Sequence, residues 1–327
     1  MAKQQAKPGA RQSPRRVDVH HHLMPPNYIA AAGDERLFRD SPSKLRMPLE
    51  WTPQRSLEEM DRHGIETAIT SIATPGVWFG DNAAGRRLAR ECNEYATRMA
   101  EDHPGRFGVF ASLPLPDVDG CLREIEHAFD KLRADGVVLM TSVENKWLGE
   151  PAYAPVFDEL NRRKAVVYVH PTVADCCRNL IPRVAAAVIE FPMDTTRAIV
   201  SLLYSGTFAR CPDIRFIFSH SGGMLPFVAA RVARLPALEP ELASRVPNGA
   251  MAELKKLYYE ICSATSPMAM SALMHLVAVS QILFGTDYPW RVAAPTVEEF
   301  DAYELGAKDR KAINRGNALR LFPRFGN

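Results

Sequence analysis

The chain has 327 residues, 46% of them hydrophobic, and a formal net charge of +2. That apolar content is ample for a large core, and past the first sixteen residues no block of one charge sign marks a nucleic-acid footprint. No apolar run reaches membrane-spanning length, and the cysteines at 92, 121, 176, 177, 211 and 262 show neither zinc-finger spacing nor C-x-x-C, so free thiols in a cytoplasmic protein are expected. Residues 1–15 hold Lys3, Lys7, Arg11 and Arg15 and no acid; without an apolar stretch they read as a disordered basic leader rather than a secretory signal.

From residue 16 onward short β-branched apolar runs alternate with helical patterns. The runs cover residues 16–20, 66–72, 106–115, 136–142, 165–172, 214–221, 256–262 and 282–288. Helical spacing fills 53–62, 82–101, 117–133, 153–163, 182–210, 224–235, 266–279 and 297–321. Strands alternating with helices imply parallel pairing through crossovers, and eight such units predict a (β/α)8 TIM barrel forming a single domain over 16–327. A doubly wound sheet is the alternative. Residues 23–52 are too long for a simple loop; their prolines and aromatics predict an insertion covering the barrel mouth.

The runs end in chemistry. The first reads VDVHHHLMPP; side chains alternate along a strand, so His20 and His22 share a face and His21 points away. VVYVHPT places His170, FIFSHSGG places His220 and ILFGTDYPW places Asp287 at the ends of later runs. In a barrel all of these fall on the C-terminal face, where active sites of this fold sit. His20, His22, His170 and Asp287 form a borderline-to-hard donor set suited to Zn2+, Mn2+ or Fe2+. His220 is either a fifth ligand or, as the preferred reading, an acid/base beside the ion. His63, His103, His127 and His275 lie in or beside helical patterns and are assigned structural or solvated roles.

These blocks resemble the second branch of the amidohydrolase superfamily. VDVHHHLMPP matches its D-x-H-x-H-x-x-P opening, and HPT, FSHSGGMLPF and FGTDYPW match its later blocks in order. PGVWFGD, LPLPDVD, APVFDELNRR and EFPMDTTRAI read most like its 6-methylsalicylate decarboxylase group. The resemblance implies a metal-dependent barrel that removes CO2 from a small aromatic acid with no organic cofactor, working as a homodimer or homotetramer. It assigns His20, His22, His170 and Asp287 to the metal, and His220 with Asp287 to proton transfer. Binuclear relatives carry a bridging lysine after the fourth strand. Ser142 and Val143 stand there, so one divalent ion is expected, Zn2+ ahead of Mn2+. Relatives hold the substrate carboxylate with arginines. Arg46, Arg55 and Arg231 lie near the corresponding places; Arg46 is taken as the candidate, Arg231 stands at the expected spacing after His220 but reads equally as a salt-bridged helix arginine, and Trp78, Phe191 and Trp290 are candidates for the pocket wall. Hydrolysis of a lactone, ester or amide is the alternative reaction, since the same five residues suit it. A silent barrel in a larger complex is disfavoured because every ligand is present.

Overall fold

A computed structural model describes residues 15–40 and 47–326. The basic leader thus lies outside the described residues except for Arg15, which pairs with Glu66. Arg46, the candidate carboxylate clamp, also lies outside them.

Eight parallel strands run in sequence order around a barrel. They are β1 (Arg16–His22), β2 (Ile65–Ser71), β3 (Phe107–Ser112), β4 (Gly136–Met140), β5 (Val166–His170), β6 (Arg215–Phe218), β7 (Tyr258–Glu260) and β8 (Ile282–Leu283). Neighbours pair in parallel from β1 to β8. The ring closes where the Val19 N–H donates to the Phe284 carbonyl (3.0 Å), the His22 N–H to the Tyr288 carbonyl (2.7 Å) and the Asp287 N–H to the His20 carbonyl (2.7 Å). The fold is therefore the closed barrel and not the doubly wound sheet.

Most strands are buried on both faces, which is why they read as continuous apolar runs. Inside the barrel Val17, Val19, Ile69, Phe110, Val138, Tyr168, Ile217 and Leu283 pack together, and Ala318, Phe322 and Phe325 from the chain end join them. A larger cluster lies between the strands and the surrounding helices, including Met60, Cys92, Ile125, Phe157 and Leu202.

The helices differ from the sequence reading in their breaks. The pattern over 182–210 resolves into Ala186–Tyr204 and Thr207–Arg210, parted by Gly206 at φ 78°. The C-terminal pattern over 297–321 resolves into several short segments beginning at Ala294–Ala302, because amphipathic spacing does not register where a turn interrupts it. β8 is shorter than the run 282–288. Gly285 passes so close to His20 and Glu260 that a side chain there would collide with both, and Asp287 turns to φ 65°. Within the expected insertion, Pro26–Phe38 forms a helix with Gly33 at φ 68°, and Met47–Glu50 a single 3-10 turn.

One buried carboxylate fastens the first strand to the last. Asp18 accepts from the His20 N–H (3.0 Å), the Thr286 N–H (3.1 Å) and the Thr286 hydroxyl (2.6 Å), and contacts His21 Nδ1 at 3.1 Å. A buried donor left without a partner costs roughly 1–3 kcal/mol. Asp18→Ala is therefore expected to destabilise the protein by about 3 kcal/mol or more, read as a lowered midpoint of urea unfolding. An unchanged midpoint would show that closure does not depend on this residue.

Candidate metal centre

β1 delivers its histidines through a local irregularity. Val17 and Val19 face the barrel interior, and the register against β2 then shifts between Asp18 and His21. Across that shift His20 and His22 point into the barrel mouth. Bulges of this kind re-aim side chains beside active sites. His21 points outward, held by Asp18 and by the Ser56 hydroxyl at 3.0 Å on the helix Pro53–Arg62.

At the mouth, His20, His22, His170 and Asp287 each place one ligand atom within 4.8 Å of the others. His20 Nε2 lies 3.0 Å from His22 Nε2, and Asp287 Oδ1 lies 3.3 Å and 3.1 Å from these two nitrogens. Ligands about 2.0–2.1 Å from a tetrahedral ion stand roughly 3.3 Å apart, so the donor set fits one divalent cation. The remaining ring nitrogens are oriented from behind. His20 Nδ1 meets Glu260 Oε1 at 2.9 Å, while His22 Nδ1 and His170 Nδ1 donate to the carbonyls of Ser71 (3.1 Å) and Pro171 (2.8 Å). Such partners set the tautomer that leaves Nε2 free to ligate. A second grouping of His20, His220 and Cys262 shares His20 with the first.

Glu260 was not singled out in the sequence. It lies at the end of β7, fully buried, and accepts from the backbone N–H of His220 and of Cys262, both at 2.6 Å. One carboxylate thus orients His20 and fixes the turn carrying His220. Its signal is an acid in the run KLYYEIC, which competes with four more conspicuous strand ends.

Charge in the cluster is concentrated. Burial disfavours a charged imidazole at His20, yet the flanking carboxylates of Glu260 and Asp287 raise it to about 10. Burial lowers His22, and it drives His170 well below the usual range, helped by the neighbouring histidines. Asp287 is held well below the ordinary carboxylate range: burial opposes this, and His20, His22 and His220 outweigh it.

His220 stands at the edge of the cluster. Its Nε2 is 3.9 Å from Asp287 Oδ2, and its Nδ1 is buried with no partner among the described residues. His220, Ser221 and Asp287 have φ of 52°, 58° and 65°, a left-handed backbone that non-glycine residues adopt at a cost and that gathers at functional sites. Gly223 follows because a Cβ there would strike the Pro192 carbonyl of the helix Ala186–Tyr204.

A cavity of about 660 Å³ opens over the cluster. His170, His220 and Asp287 lie at its floor, and Leu37, Phe191, Met224 and Trp290 are among its walls. Phe191 stacks edge-on to His170 with ring centroids 6.4 Å apart, and the buried Trp290 Nε1 has no partner among the described residues. Trp78 is elsewhere: it bonds to Asn82 (2.8 Å) and lines a neighbouring cavity of about 260 Å³ with Arg36 and Arg178. Arg55 pairs with Glu50, and Arg231 is exposed on the helix Leu225–Ala233. Among the described residues the arginine lining the larger cavity is Arg291, four residues after Asp287, a position that the sequence analysis does not single out.

A family model for amidohydrolases matches residues 17–324, and the chain belongs to that family. It is 36% identical to the decarboxylase yanB of Aspergillus niger, covering 95% of this chain and 88% of that protein. It is 33% identical to the 6-methylsalicylic acid decarboxylase of Penicillium expansum, covering 95% of this chain and 97% of that one. Its fold is similar to the crystal structure of 5-carboxyvanillate decarboxylase from Novosphingobium aromaticivorans, solved with manganese and a nitrobenzoic acid. There the TM-score is 0.85 at 20% identity, over 99% of this chain and 100% of that one.

The charge arrangement makes metal loading pH-dependent. With His20 raised to about 10, its imidazole is protonated at pH 7.5 in the metal-free protein, and ligation requires the neutral ring. Loading at that pH is expected to release about one proton per ion, and affinity to rise close to tenfold per pH unit until the ring has titrated. Calorimetry in buffers of different ionisation enthalpy measures this directly. An absence of proton release would show that the His20 ring is already neutral before the ion binds.

Proposed function

We propose that this chain is a metal-dependent, non-oxidative decarboxylase of hydroxylated aromatic acids of the salicylate type. One observation carries the reading: the His3Asp cluster and His220 open into a single aromatic-walled cavity, in a chain about one-third identical to named decarboxylases over nearly its whole length. His20, His22, His170 and Asp287 would hold one divalent ion, Zn2+ as the preferred metal. Mn2+, the ion in the 5-carboxyvanillate decarboxylase of the same fold, is the alternative to test. When bound, the ion supplies a Lewis-acid anchor for the substrate's carboxylate and neighbouring hydroxyl.

The protein's own groups do the rest. Phe191 and Trp290 flank the ring, and Arg291 presents a positive charge at the cavity wall. Asp287 and His220 face each other and form a relay that delivers a proton to the ring carbon bearing the carboxylate. The carbon–carbon bond then breaks, its electron pair returns to the ring, and CO2 leaves. Overall the aryl carboxylate and one proton give the arene and CO2, with no oxidant. The helix Pro26–Phe38 contributes Leu37 to the cavity and sets Phe38 against Trp290 at 5.6 Å, which supports a covering role for residues 23–52 in a one-domain chain. Exposed Leu180, Ile181, Val184 and Val188 support a homodimer or homotetramer meeting beside the mouth. No helix among the described residues is long and apolar enough to cross a membrane. We place the protein in the cytoplasm, consistent with its free cysteines.

Two experiments test this. In D2O, turnover of a hydroxybenzoate is expected to release CO2 and leave one deuterium on the carbon that lost it. Label from H2¹⁸O in a product acid, with no CO2 from any hydroxybenzoate, would instead establish the hydrolase. His220→Asn should retain its metal, measured by elemental analysis, and lose roughly 10²–10⁴-fold in kcat. Loss of the metal in this variant would make His220 a ligand.

A further inference from the structure

Outside the metal centre, one pair of reactive groups stands apart. Cys176 and Cys177 are adjacent in the turn Asp175–Cys177, with their sulfurs 3.5 Å apart. Cys176 is exposed and Cys177 is 8% exposed, whereas the other cysteines are single and buried.

The backbone around the pair is fastened on both sides. The Cys176 N–H donates to Asn145 Oδ1 at 3.0 Å and the Cys177 N–H to the Ala174 carbonyl at 2.8 Å. The next residue, Arg178, donates to the Val173 carbonyl (2.8 Å) and to Asp175 (2.9 Å), and also pairs with Asp40. The backbone that carries the two sulfurs is thus fixed by groups other than the thiols. Two thiolates about 2.3 Å from one tetrahedral ion stand roughly 3.8 Å apart, so the observed separation is close to that of a chelate. Burial and the neighbouring Cys176 and Glu190 favour the neutral thiol at Cys177, and Arg197 counters them.

We propose that Cys176 and Cys177 form a dithiol site for a soft, thiophilic Lewis acid, independent of the histidine–aspartate cluster. Soft sulfur ligands select soft acceptors, and a trivalent arsenical is the sharpest member of that class because it takes two sulfurs and has little affinity for imidazole or carboxylate. With phenylarsine oxide each thiol gives up its proton, two arsenic–sulfur bonds form, and the arsenical's oxygen leaves as water; no oxidation state changes. The pair lies on the segment between the metal-cluster residue His170 and the cavity-wall residue Phe191, and neither cysteine lines the active-site cavity.

The test titrates the metal-loaded protein with phenylarsine oxide in the presence of a competing monothiol, read by intact mass. One arsenical per chain is expected in the native protein. Closing the second bond within one molecule strengthens binding roughly 10²–10⁴-fold, so Cys176→Ser and Cys177→Ser should each weaken it by that order. The content of the histidine-bound metal should stay constant throughout. Undiminished adduct in either variant, or an adduct that forms only as that metal is lost, would overturn the site.

Discussion

The site depends on how the barrel closes. Four donors from β1, β5 and the segment after β8 converge only if the first and last strands meet in one register, and the Asp18 carboxylate sets that register by gripping both. It holds the backbone of His20 on one strand and of Thr286 on the other, one residue before Asp287. Its second oxygen faces His21, turning that ring toward the helices while the rings on either side turn inward. Fold closure and ligand placement are thus one interaction. The aspartate of the D-x-H-x-H opening belongs to the architecture, and its histidines to the chemistry.

A second constraint is electrostatic. Asp287 and Glu260 sit at opposite sides of His20, both removed from solvent or nearly so. A buried charge is tolerable only with a partner, and here the partner is a ring of the candidate metal-ligand set. Glu260 extends this coupling to His220 by accepting its backbone N–H. The turn carrying His220 and the histidine–aspartate cluster therefore share one buried anion. The positive φ at His220 and Asp287 is sustained because hydrogen bonds on both sides leave the backbone no freedom to relax.

Much of this was legible in the sequence, for identifiable reasons. Parallel strands buried on both faces are apolar runs, and eight of them alternating with helices leave few topologies. The period of two along β1 separates His21 from His20 and His22. What escaped the sequence depends on curvature and close approach. The bulge in β1 carries no residue signature. Glu260 looks like any strand-end acid until β7 is placed beside β1. Arg291 looks like surface until the chain turns at Asp287 and brings it to the cavity. Trp78 fell on the wrong side for a related reason: the loop after β2 leads to a neighbouring cavity, and aromatic character alone does not say which one a ring will line.

Phe322 and Phe325 pack with the interior-facing residues of the first strands. This imposes an order of events during synthesis. At roughly 5–20 residues per second, Asp287 emerges some 13–53 s after His20 and His22, and the floor of the barrel later still. For that interval the nascent chain carries two adjacent imidazoles and a row of unpaired β-strand edges that nothing can yet close. The half-formed ligand pair is open to any cation present, and the edges to any neighbouring chain. Docking of the segment that carries Phe322 and Phe325, rather than the appearance of any one strand, is the step that ends both exposures.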